Sequence, residues 1–131
     1  MNYMDYRAYF AKGKDKQNKY KNDKCEYNGK KFDSKKERNY YILLLDRERD
    51  GEIRDLQTQV TFELQPSFKD SNGKTIRAIK YIADFVYYDT ATGKRHIVDV
   101  KGSELMITEV FKIKQKMFEY RYGEKIEVVI L

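Results

Sequence analysis

Hydrophobic positions fall into blocks whose period changes along the chain. Around residues 35–49 the apolar side chains Tyr40, Tyr41, Leu44 and Leu45 recur on one arc, as expected for a helix advancing about 100° per residue. Ser34 with Glu37 three positions later matches a capping box, and Asp50-Gly51 supplies a stop. The pattern predicts a helix over 35–49. Residues 58–64 alternate like a strand and are followed by Pro66. Residues 76–88 are long and β-rich, 89–94 form a turn, and 95–101 form another strand. Helical period returns over 108–122 through Val110, Phe111, Ile113, Met117 and Phe118, ending at Gly123. Residues 126–131 make a short terminal strand. Upstream, Glu26-Tyr27-Asn28-Gly29-Lys30-Lys31-Phe32 reads as two short strands turning at Asn28-Gly29.

The order is helix, three strands, helix, strand, which predicts one α/β domain over 25–131 with a mixed sheet. Residues 1–24 stand outside it. They hold Lys12, Lys14, Lys16, Lys19, Lys21 and Lys24 and read as a basic N-terminal arm, with a short helix over 4–11. Such an arm is either a solvated tail or a DNA-contacting segment.

Composition narrows the function classes. The 12 Tyr and 7 Phe argue for a real core. No apolar stretch is long enough to span a membrane, and the first residues are too charged for a signal peptide. A single cysteine, Cys25, fits a reducing cytoplasm. With one histidine, His96, the chain lacks the ligands for zinc fingers, His-dependent metalloproteases or a Ser-His-Asp triad. Both residues read as structural or surface positions. The net charge of +6, from 27 Lys+Arg against 21 Asp+Glu, suits a polyanionic partner.

The chemistry lies in charges where a core is expected. A symmetric 89–94 turn sets Asp84 opposite Asp99. Opposed side chains on one face have Cβ atoms about 5 Å apart, so two ionised acids there repel by about 3 kcal/mol at an effective dielectric of ~20. A cation or a proton between them removes that cost, and a bulge shifting the register removes the pairing. Lys101 shares the face of Asp99 because strand side chains alternate. The plain alternative is a solvated edge with an Asp99–Lys101 ion pair. On the first helix Glu37 falls within the apolar arc, as a capping residue alone or, compatibly with capping, as a carboxylate turned to the sheet that could supply a metal ligand. On the second helix Lys114 lies in the apolar stripe, either snorkelling to solvent or aimed into a cleft. Lys112 and Lys116 point toward solvent or a phosphate backbone.

Three carboxylates with an ammonium at one end of a sheet suit Mg²⁺ and phosphodiester hydrolysis. At these residues the sequence resembles a known group. Glu37, then Ala83-Asp84, then Asp99-Val100-Lys101 look like the PD-(D/E)XK nuclease superfamily. Phe32-Asp33-Ser34-Lys35-Lys36-Glu37, Tyr81-Ile82-Ala83-Asp84-Phe85-Val86-Tyr87 and Val98-Asp99-Val100-Lys101-Gly102 are closer to one small phage-encoded branch, itself a domain of unknown function. Ala83 stands where the superfamily carries proline.

The resemblance implies a restriction-endonuclease-like core, with a mixed central sheet flanked by two helices. It implies a Mg²⁺-dependent endodeoxyribonuclease, with Mn²⁺ as substitute, acting in phage DNA recombination, repair or replication, branched DNA included. Asp84, Asp99, Glu37 and the Val100 carbonyl would hold the metal. Lys101 would position the attacking water, Lys114 would contact the scissile phosphate region, and Lys112 and Lys116 the backbone. The implied partner is DNA, without a membrane, in the host cytoplasm; a homodimer is allowed. The rivals are a non-catalytic DNA- or protein-binding module, an RNA-directed nuclease and an RNase H-like enzyme.

Overall fold

The computed structural model describes residues 24–131. The basic arm expected over 1–24, with its short helix, lies outside the described residues except for Lys24.

Two short strands, β1 (Cys25–Tyr27) and β2 (Lys30–Phe32), pair antiparallel across Asn28-Gly29. Both turn residues have positive φ, 53° and 76°, the conformation a two-residue hairpin needs to match strand twist. Helix α1 (Lys35–Arg49) follows. The Ser34 hydroxyl accepts the Glu37 N–H at 3.1 Å, and the helix ends at Asp50, before Gly51 with φ 79°. Substituting Ser34 by Ala is expected to cost about 1 kcal/mol of stability, read as a lowered midpoint in urea denaturation.

Strand β3 (Ile53–Gln65) leads through a small hairpin, β4 (Phe68–Lys69) and β5 (Thr75–Ile76), to β6 (Ile79–Asp89). Strand β7 (Arg95–Lys101), a 3₁₀ turn (Glu104–Met106), α2 (Glu109–Tyr122) and β8 (Ile126–Ile130) complete the fold. The main sheet has the order β3-β6-β7-β8, with β8 parallel to β7 and the other pairs antiparallel. The β7–α2–β8 crossover supplies the parallel step.

Each face of the sheet carries one helix and one core. On one side Tyr40, Tyr41, Leu43 and Leu44 of α1 pack with Phe32, Ile53, Phe85, Tyr87 and Val98. On the other Phe111 and Phe118 of α2 pack with Phe62, Leu64, Tyr81, Ala83, Val86, Ile97 and Ile126. The expectation of a mixed α/β fold with a central mixed sheet and two helices holds.

Three local expectations need correction. The strand expected over 76–88 is divided, because residues 77–78 separate β5 from β6. Strand β3 starts at Ile53, well before 58. Val110 and Ile113, read as part of a buried stripe, are exposed at 62% and 55%. Two apolar rows run along α2, and the sheet takes the one with the larger rings, Phe111 and Phe118, supported by Tyr122. Among the described residues no helix is long and apolar enough to cross a membrane.

Candidate active site

The site grows from a fork between β6 and β7. Gly93, at φ 72°, closes the intervening turn, and the Asp89 N–H donates to the Lys94 carbonyl at 2.8 Å. That turn fixes the expected register: Tyr88 faces Arg95, Tyr87 faces His96, Val86 faces Ile97 and Phe85 faces Val98. One step further the pair would be Asp84 and Asp99, and there the backbone ladder stops. Asp84 Oδ2 accepts the Val100 N–H at 2.8 Å instead. A carboxylate thus occupies the place of a strand carbonyl. Within a strand the N–H and C=O of one residue point to the same edge, so the Val100 carbonyl is directed at the same fork.

On the other side of Asp84 lies β3. Thr58 faces Phe85 and Val60 faces Ala83, which leaves Gln59 opposite Asp84. Gln59 has φ 52°, a left-handed conformation that costs a non-glycine residue about 1–2 kcal/mol. Strand β6 turns over at the same level: Ala83 packs in the α2 core, whereas Phe85, two residues on, packs in the α1 core. Strict alternation would keep them together. The Gln59 amide reaches both acids nearby, donating to Glu37 Oε1 at 2.8 Å and to Asp84 Oδ1 at 3.5 Å.

Asp99 is buried, 6% exposed. Its Oδ2 accepts the Tyr81 hydroxyl at 2.8 Å, and its Oδ1 lies 3.1 Å from Lys101 Nζ. The ammonium also sits 4.3 Å from the centre of the Phe111 ring, a contact between cation and ring quadrupole. Asp99, Lys101 and Tyr81 therefore lie on the α2 side of the sheet. Glu37, from α1, is equally buried. Its backbone N–H completes the helix cap, but its carboxylate turns to Gln59 rather than back to the cap.

The electrostatics record the crowding. Burial, then the charges of Asp84, Asp33 and Asp99, push Glu37 up to about 8. Burial and then Asp99 push Asp84 up to about 6, against the lowering effects of the Val100 N–H, Lys101 and Gln59. Tyr81 is raised by burial and then by the Asp99 charge, so the phenol keeps its proton and stays a donor. Among the described residues no group of three His, Cys, Asp or Glu side chains is drawn together as a ready metal cage. Each carboxylate is turned to a donor already present. A Mg²⁺ ion, however, needs only one or two carboxylates, with water and phosphate completing its shell. The hard oxygens of Asp84 and Asp99, whose charges repel, fit that demand.

The lysines of α2 divide. Lys114 is half-buried beside the Phe111–Phe118 row and makes no ion pair among the described residues, whereas Lys112 and Lys116 are exposed. Lys112 lies 3.3 Å from Glu109, and Lys116 lines a shallow groove away from the carboxylates. Among the lysines of the described residues, only Lys101 is ion-paired with an acid of the site. Sequence reasoning did not single out Gln59 or Tyr81. In an alternating strand a glutamine reads as a solvated position, and alternation puts Tyr81 on the face opposite to Asp99.

No curated protein and no solved structure matches the chain. A family model described as protein of unknown function (DUF1064) matches residues 17–130. That span takes in every element of the fold, with Glu37, Asp84, Asp99, Val100 and Lys101 among them, so the chain belongs to the DUF1064 family of proteins of unknown function.

Proposed function

We propose that the protein is a metal-dependent endonuclease of the PD-(D/E)XK type, with a restriction-endonuclease-like core, that hydrolyses phosphodiester bonds in DNA. Its expected setting is phage DNA recombination, repair or replication. The observation that carries this reading is the pair Asp84 and Asp99, electrostatically coupled where β6 and β7 part, with the Lys101 ammonium 3.1 Å from Asp99.

Asp84, Asp99 and the Val100 carbonyl would hold Mg²⁺ or Mn²⁺, and the bound ion supplies positive charge at the attacked phosphate and makes water more acidic. The protein's own groups do the rest. Tyr81, a fixed donor, holds Asp99 in one orientation. Lys101, fixed between Asp99 and Phe111, keeps an N–H to orient the attacking water or to stabilise charge on the phosphate. Glu37, linked to Asp84 through Gln59 and pushed up to about 8, keeps its proton at neutral pH, a state suited to donating one. Lys112, Lys114 and Lys116, with the net positive charge, supply attraction for a DNA backbone.

The rival is a DNA- or protein-binding module that keeps the fold without the chemistry. What favours it is that Asp84, Asp99 and Glu37 are each already hydrogen-bonded or ion-paired.

One experiment separates the two. The purified full chain is incubated with supercoiled plasmid, a four-way junction and matched RNA, in Mg²⁺, Mn²⁺ or EDTA, and Mn²⁺ binding is titrated alongside. Cleavage of DNA with either metal and none in EDTA is expected. Cleavage of RNA alone would reassign the substrate, and no cleavage together with no Mn²⁺ binding would leave the binding module.

A further inference from the structure

The row on α2 that the sheet leaves uncovered is the strongest unexplained surface. Val110 and Ile113 are exposed at 62% and 55%, and Tyr120 at 94%; Met117, half-buried where it packs against the edge of the α2 core, completes the row. Their spacing is three, four, three, which is the seam of a helix pair. Just before the helix, the 3₁₀ turn presents Leu105 at 94% and Met106 at 56% exposure. At the other end of the helix, a groove is lined by Leu64, Gln65, Pro66, Lys116, Met117 and Tyr120. One end of the stripe therefore carries apolar knobs, and the other end carries an apolar hole.

We infer that a second copy of this chain covers the stripe, through an antiparallel, two-fold pairing of α2 centred on Ile113. A two-fold contact requires a surface complementary to itself, and this one is. With Ile113 against its counterpart, Val110 meets the partner's Met117, and Leu105 and Met106 meet the groove beside the partner's Tyr120. The charges agree. Glu109, on the shoulder of the stripe and exposed in its ion pair with Lys112 of the same helix, comes beside the partner's Lys116, and the symmetry repeats the pair. A parallel pairing sets knobs against knobs and leaves both grooves empty. Lys114 lies on the opposite shoulder, toward its own core, where its approach to the partner's Lys114 opposes but does not cross the seam. This pairing needs no catalytic role for the fork, but it engages Lys116 in the seam, which leaves Lys112 and Lys114 of this helix to attract DNA.

Sedimentation velocity of the full chain across a concentration series, about 1 to 200 μM, tests it against the affinity range of specific protein pairs. The wild type is expected to move from monomer to dimer within that series. Ile113→Glu is expected to raise the dissociation constant at least tenfold while its thermal melt stays that of the dissociated wild type. Tyr120→Lys gives a second variant at a position so exposed that folding does not depend on it. Glu109→Lys is expected to weaken the dimer, and the double exchange Glu109→Lys with Lys116→Glu to restore it. A wild type that stays monomeric throughout, or a dimer unaffected by both Ile113→Glu and Tyr120→Lys, overturns the proposal.

Discussion

Replacing Asp99 by Asn is expected to lower metal-dependent DNA cleavage by about 10³-fold, the scale on which removal of a single transition-state stabiliser acts. Asn keeps the shape of the side chain and can still accept the Tyr81 hydroxyl. It loses the negative charge, however, and turns either an N–H₂ or a neutral oxygen toward the Lys101 ammonium, which lies 3.1 Å from Asp99 Oδ1 in the native site. Both the proposed cation and the lysine therefore lose a partner. Lys101→Met is the companion variant: it retains a flexible apolar stem against Phe111 and removes only the ammonium. Its expected loss is about 10²-fold, with Mn²⁺ binding preserved. Plasmid nicking by matched preparations, with circular dichroism melts to show that each variant is folded, checks both. Undiminished activity in either preparation would mean that cleavage comes from elsewhere.

The second large effect concerns stability and pH. Glu37, pushed up to about 8, and Asp84, pushed up to about 6, bind their protons more tightly in the folded chain than in the unfolded one. Where the native state holds more protons, stability falls as pH rises. For Glu37 the fall begins near its ordinary value of 4.5 and is complete above about 8; for Asp84 it spans 3.8 to about 6. The metal-free protein should thus be more stable at pH 5 than at pH 9, by on the order of 4 kcal/mol from Glu37 alone. Glu37→Gln is neutral at every pH, still accepts the Gln59 amide, and is expected to flatten the curve above pH 6. Urea titrations of both proteins at pH 5, 7 and 9, in EDTA, provide the measurement. A wild-type curve without slope, or the same slope in the variant, would contradict the assignment. Adding Mg²⁺ at pH 9 should recover stability in the wild type if the cation binds the ionised site, by mass action.

Much of the architecture was legible because local signals agreed. Ser34 and Gly51 bound α1 where capping and stop residues predict, and the 89–94 turn sets the register of the following strands. That register points Asp84 toward Asp99, but the ladder ends one pair short and Asp84 accepts the Val100 N–H instead; alternation puts Lys101 beside Asp99. What was illegible depends on departures from alternation. Strand β6 turns over at Asp84, which carries Tyr81 to the face of Asp99. Gln59, at φ 52°, belongs to the same irregularity, and nothing in its neighbourhood of polar and apolar residues announces a left-handed glutamine. On α2 two apolar rows competed, and periodicity alone could not rank the rings of Phe111 and Phe118 above Val110 and Ile113. The two roles of Glu37 were readable as compatible, and the structure divides them: its N–H stays with Ser34 while its carboxylate turns to Gln59.

Strand β3 is the outer strand of the main sheet and runs for 13 residues. An unbroken edge of that length offers a row of N–H and C=O groups on which another chain can assemble into fibrils. This edge is broken. The register slips between Arg54 and Gln57 and again between Glu63 and Gln65, and Asp55 joins Gln59 in a left-handed conformation. Such interruptions bend the edge away from the flat geometry that stacking requires. The irregularity that brings an amide to the acids thus also guards the sheet against amyloid-like growth.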